Sequence, residues 1–123
     1  MNNLARVCWI SAPVYVLVGM GFGIWMAVAD QRIYSAAHAH LNLLGWVTIG
    51  LFGTFYTVMP RAAEWTLSKI QVGLAQLGTI LMFPGIILEV AGMDDKLVSA
   101  GSVFAILAMI LFLVVVIRAT RSA

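Results

Sequence analysis

Four long apolar runs constrain this chain more than any other feature of its sequence. They cover residues 7–29, 34–59, 67–90 and 97–117. The hydrocarbon layer of a membrane is about 30 Å thick and a helix rises about 1.5 Å per residue, so roughly 20 apolar residues are needed to cross it. Each run meets that length. The sequence therefore predicts an all-α integral membrane protein, a bundle of four transmembrane helices in a lipid bilayer.

The composition excludes several classes of protein. Hydrophobic residues make up 63% of the chain and charged residues 10%, whereas a soluble domain carries about 25% charged residues. The 123 residues give room for one domain, 1–123. The seven cations are spread along the chain and form no basic patch, so we expect no nucleic-acid partner. The single cysteine, Cys8, excludes an internal disulfide, and no C-x-x-C-H motif for covalent haem attachment is present.

The distribution of cations predicts the orientation in the membrane. Short connections make consecutive helices antiparallel, so alternate helix ends lie at the same membrane face. One face receives Arg32 and Lys96, and the other receives Arg6, Arg61, Lys69, Arg118 and Arg121. Because positive residues concentrate on the cytoplasmic side, we expect a multi-pass protein of the plasma (inner) membrane with both termini in the cytoplasm. The second helix then starts at the outer face.

Both histidines of the chain lie near the start of this second helix, as His38-Ala39-His40. An ionisable ring inside a membrane is costly and indicates a functional site by default. Residues two apart on an α-helix are separated by about 200° around its axis, so the two rings face nearly opposite sides and cannot grip one ion together. The alternative interpretation is that each ring bonds a neighbouring backbone carbonyl.

Opposed histidines predict a shared haem site. Six-coordinate haem iron takes axial ligands on both faces of the ring, and one chain offers one histidine on each side. We therefore expect a homo-oligomer that binds haem b, with His38 of one protomer facing His40 of the next as iron ligands. Small neighbours leave room for a flat group or allow close helix packing: Ala36, Ala37, Ala39 and Gly45.

Two further residues are candidates for binding the haem. Arg32 precedes the second helix, where its guanidinium could hold a propionate or serve as an ordinary interfacial charge. Trp46 lies deeper in the helix and could stack on the edge of the haem or belong to the aromatic belt.

Segment 38–60, HAHLNLLGWVTIGLFGTFYTVMP, resembles the second helix of the catalytic subunit of the haem–copper oxidase superfamily, which includes the nitric oxide reductases. The resemblance implies that His40 ligates a low-spin haem. His38-Ala39-His40 is also similar in spacing to the family's H-x-H pair in its tenth helix. That subunit has twelve helices in three arcs of four, so the resemblance implies a homotrimer of this chain. The family's copper site uses three further histidines, which this chain lacks, so copper is the less expected metal.

Electron transfer in a membrane cytochrome is the leading functional prediction, with oxidoreductase activity left open. No residue pattern identifies the electron donor or acceptor. The alternatives are a small four-helix drug or cation exporter, a copper or zinc site formed where histidines of several chains meet, and a structural assembly subunit. The exporter is disfavoured because such transporters carry a buried glutamate in their first helix, and this first run has no carboxylate before Asp30.

Overall fold

The computed structural model describes residues 1–121. It contains four helices that are long and apolar enough to cross a membrane: α1 (Asn3–Ala29), α2 (Arg32–Val58), α3 (Thr66–Val90) and α4 (Lys96–Arg121). The predicted all-α architecture with four membrane-length helices is confirmed, and each helix begins or ends within a few residues of its apolar run. In α1 and α4, only 17% of the most apolar stretch is buried. The apolar surface left exposed is suited to lipid or to a partner chain.

The ends of α1 are defined by local chemistry. Asn2 caps its N-terminus, because the Asn2 side chain accepts a hydrogen bond from the Ala5 amide at 2.8 Å. The same side chain donates to the Tyr56 carbonyl at 2.9 Å, which ties the start of α1 to the end of α2. At the other end, Asp30 takes up a left-handed conformation with φ 54° and stops the helix.

The helices form two antiparallel hairpins, α1 with α2 and α3 with α4. In the first hairpin Gly23 lies against His38 and Gly53 lies against Trp9. In the second, Gly85 lies against Val98. One hydrophobic core joins all four helices on the side of the chain termini, and its largest buried members include Ile49, Tyr56 and Val115.

Helix α2 is not uniform along its length. It opens with a 3₁₀ turn, Arg32–Tyr34, continues as an α-helix, Ser35–His40, widens into a π-helical stretch, Leu41–Thr48, and ends as an α-helix, Ile49–Val58. Its buried residues recur every four positions here: Ala37, Leu41, Gly45 and Ile49. In an α-helix each step of four rotates by about 40° beyond a full turn. The wider π turns keep this row of residues facing the core.

Candidate functional site

His38 is held in the interface between α1 and α2. Its side chain is half-buried, and ring atom Nδ1 lies 2.8 Å from the carbonyl oxygen of Gly19 in α1. Since a carbonyl only accepts, Nδ1 carries the proton in this contact. Ring atom Nε2 lies 3.3 Å from Nδ2 of Asn42, whose amide donates to it. Both nitrogens of His38 therefore have partners within the same chain.

Two glycines of α1 make room for this arrangement. A Cβ atom on Gly23 would lie 2.8 Å from Cε1 of His38, and one on Gly19 would collide with Oδ1 of Asn42. That Oδ1 atom is buried and has no hydrogen-bond partner among the described residues. The interface thus brings His38 and Asn42 close to the backbone of α1, a fit that any side chain at these two positions would obstruct.

His40 has the opposite environment. It lies on the exposed surface of α2, and its Nδ1 donates to the carbonyl of Ala36 in the preceding turn at 2.8 Å. Within the described part of the chain, Nε2 of His40 has no hydrogen-bond partner. A histidine that donates from one nitrogen to a carbonyl presents the lone pair of the other, as ligating histidines do. Nε2 of His40 is therefore accessible from outside the chain.

The structure places the two rings on different sides of α2, one against α1 and one on the exposed surface. Nδ1 of each ring bonds a backbone carbonyl, as the alternative interpretation of the sequence expects. The two rings differ at Nε2. In His38 this atom accepts a hydrogen bond from Asn42, and in His40 it has no partner among the described residues.

The four small residues expected to make room for a flat group separate into two pairs. Ala36 and Ala39 are exposed beside His40. Ala37 is fully buried within the chain, and the space beside Gly45 is filled by Tyr15, since a Cβ there would lie 2.5 Å from Cβ of that tyrosine. For Ala37 and Gly45 the structure shows the packing alternative, because neighbouring helices of the same chain take up the room.

The other two predicted site residues are not brought into contact with His40. The Arg32 side chain is 84% exposed, and its Nε lies 3.9 Å from a carboxylate oxygen of Asp30. Trp46 is 44% exposed and lines a groove of about 470 Å³ between α1 and α2, opposite Trp9 and Pro13. Along the helix axis, Arg32 is about 12 Å and Trp46 about 9 Å from His40, on opposite sides of it.

The π-helical stretch of α2 is not predicted from the sequence. It begins at Leu41, directly after His40, and contains Asn42. Short π-helical segments inside α-helices are frequent at functional sites. The repeat of buried residues every four positions indicates turns wider than 3.6 residues, but the sequence does not reveal it, because nearly all residues of this stretch are apolar.

The donor set fits one axial position of a haem. Among residues 1–121, no group of three or more histidine, cysteine or acidic side chains could hold a metal ion. Within that range, Cys8 is fully buried, and His40 is the histidine whose Nε2 is available. One chain can thus offer one imidazole to a haem, and the described residues offer no second one with a free Nε2.

Comparison of this chain with family models, curated protein sequences and solved structures gave no match.

Proposed function

We propose that this chain is a subunit of a homo-oligomeric membrane cytochrome of the b type, in which His40 supplies an axial ligand to haem. The observation that carries the proposal is the exposed imidazole of His40, fixed through Nδ1 by the Ala36 carbonyl and open at Nε2. Haem bound through two protein ligands undergoes one-electron oxidation and reduction. The work of the subunit is then electron transfer.

The membrane itself favours occupation of this position. His40 is about 12 Å along α2 from the start of that helix, a depth that would lie within the apolar layer with Arg32 at its edge. A polar atom without a partner is costly there, because lipid offers no hydrogen bond. Coordination to a metal satisfies the Nε2 lone pair and removes that cost. An exposed histidine at this depth is therefore better explained by a bound partner than by packing alone.

The surroundings of His40 suit a flat, largely apolar group. Ala36 and Ala39 are exposed next to it and present only methyl groups, and Leu43 follows on the same surface. Small residues also allow two helices to approach closely in lipid. In an oligomer both properties apply, since the group would lie between α2 and a neighbouring chain.

The charges at the helix ends suit a bound haem and indicate an orientation in the membrane. Arg32 lies at the start of α2, where the carboxylates of a haem would meet the headgroup region, and a guanidinium pairs well with a carboxylate. Cations are more numerous at the face that carries the termini, which favours a cytoplasmic location for both termini in a plasma membrane. The resemblance of 38–60 to the second helix of haem–copper oxidases supports the same ligand role for His40. It also favours a homo-oligomer, in which another copy of the chain supplies the second axial ligand.

The test is the haem content of the purified protein and of two variants. We expect the wild type to contain iron without stoichiometric copper or zinc, and His40→Ala to lose haem by at least tenfold. Val58→Ala is the matched control, because Val58 is exposed at the other end of the same helix and 70% accessible, and it should retain the wild-type content. Full retention of haem in a folded His40→Ala protein would contradict the proposal.

A further inference from the structure

We infer that the second axial ligand of this haem is His40 of a second copy of the chain, so that two α2 helices face each other across one shared group. The inference rests on the proposed function and makes it more specific. It assigns His38 a structural role instead, that of a residue which holds α2 against α1.

The contacts of His38 are the first argument. To ligate iron through Nε2, His38 would have to give up the hydrogen bond from Asn42. Asn42 already has a buried Oδ1 without a partner, and its Nδ2 would then lose its acceptor as well. Unpaired polar atoms in an apolar interior are unfavourable. The ring is also enclosed on the α1 side, where a Cβ on Gly23 would lie 2.8 Å from Cε1 and the Gly19 carbonyl lies 2.8 Å from Nδ1.

The remaining donors are the second argument. Cys8 is fully buried in the core, and the sulfur of Met82 lies 3.7 Å from the Ser102 hydroxyl, inside the α3–α4 pair. Several methionines are exposed, among them Met109 on α4, and Met20, 56% accessible on α1 next to α2, is the competitor tested below. A second His40 is favoured over it, because the same oriented imidazole, open at Nε2, is present on every copy.

Symmetry is the third argument. In a two-fold pair each chain uses the same surface, so residue i meets residue i of its partner on the axis. An axis along the membrane normal keeps both chains in the same orientation and puts both His40 residues at equal depth. The exposed surface beside His40 carries Ala36, Ala39 and Leu43 and no charge that would oppose its own copy.

The arrangement differs from a ring in its stoichiometry. A ring in which His38 of one chain faces His40 of the next binds one haem per chain. A pair joined through two His40 residues binds one haem per two chains. The number of haems per chain can be measured in the wild-type protein, so this test does not depend on the folding of any variant.

The experiment measures haem per polypeptide and the absorption spectrum in wild-type protein, His38→Gln, His40→Gln and Met20→Leu. Glutamine at position 38 can still donate to the Gly19 carbonyl but provides no imidazole. We expect one haem per two chains, a dimer by native mass spectrometry, and wild-type low-spin spectra in His38→Gln and Met20→Leu, with loss in His40→Gln. One haem per chain, or loss of the low-spin spectrum in folded His38→Gln or Met20→Leu, would overturn the inference and leave the proposed function standing. A wild type without haem would overturn both.

Discussion

The two helix hairpins use glycine in different ways. Between α3 and α4, the glycines face backbone: a Cβ on Gly85 would lie 2.6 Å from the amide nitrogen of Val98, and one on Gly78 would lie 2.9 Å from that of Ala105. Between α1 and α2, the glycines face side chains, such as the ring of His38 beside Gly23. One hairpin brings two backbones together, and the other makes room for polar and aromatic groups.

The difference suggests that the two hairpins have different roles within one small bundle. In lipid, close approach of two backbones stabilises a helix pair through dispersion and through weak hydrogen bonds. The α3–α4 hairpin has that construction. The α1–α2 hairpin instead contains the histidines, the Asn42 amide with its unpaired oxygen and the π-helical stretch. We interpret α3–α4 as the support and α1–α2 as the part that carries the site.

The largest effect on stability is expected from Gly85→Ala. The new methyl group would meet the backbone of Val98, which cannot turn aside as a side chain can, so the two helices have to separate. Overpacking of this kind costs about 2–3 kcal/mol. The free energy of unfolding in detergent measures it, with Gly73→Ala as the matched control on the same helix, because no atom lies within 4 Å of a Cβ there. Equal stabilities in the two variants would break the comparison between the hairpins.

A smaller loss is expected from Gly23→Ala. The added methyl group would lie 2.8 Å from Cε1 of His38, and the ring can shift at the expense of its hydrogen bonds. We expect a loss of about 1–2 kcal/mol in the free energy of unfolding. Gly21→Ala, with open space around its Cβ position, should show no loss. A cost for Gly23→Ala above that for Gly85→Ala would reverse the assignment of the two hairpins.

A third, weaker effect concerns the buried polar pair between α2 and α3. The hydroxyl of Tyr56 donates to Oε1 of Gln71 at 2.8 Å, and both side chains are fully buried. Tyr56→Phe should lower the free energy of unfolding by about 0.6–1 kcal/mol, the usual value of such bonds in membranes. Ser68→Ala is the comparison, since the buried Ser68 hydroxyl interacts with the Tyr56 hydroxyl without completing a hydrogen bond. Its removal should cost less than the loss of the Tyr56–Gln71 bond, and a larger loss for Ser68→Ala than for Tyr56→Phe would contradict this view.

The smallest effect is expected from Asp30→Asn. The Arg32–Asp30 pair is 3.9 Å apart with both side chains almost fully exposed, and exposed pairs contribute little because water screens them. The unfolding transition should not move measurably. A clear shift would show that the pair contributes more to stability than its exposure predicts.

Much of the fold follows from the sequence, and less of the site does. The apolar runs predict the four helices because membrane thickness fixes the length of a helix that crosses it. The helical period puts His38 and His40 on different sides of α2. The sequence does not predict that the Gly19 carbonyl meets His38, or that Tyr15 fills the space beside Gly45, since both depend on how α1 lies against α2. The π-helical stretch likewise arises from packing, because it keeps a row of residues facing the core.

The central claim is that His40 binds haem, and the absorption spectrum of the wild-type protein tests it most directly. The protein would be purified from haem-replete cells and measured in its oxidised and reduced states. We expect a red preparation with a strong Soret band and sharp visible bands on reduction, as two axial nitrogen ligands produce. A colourless preparation of folded protein that also takes up no added haem would contradict the claim.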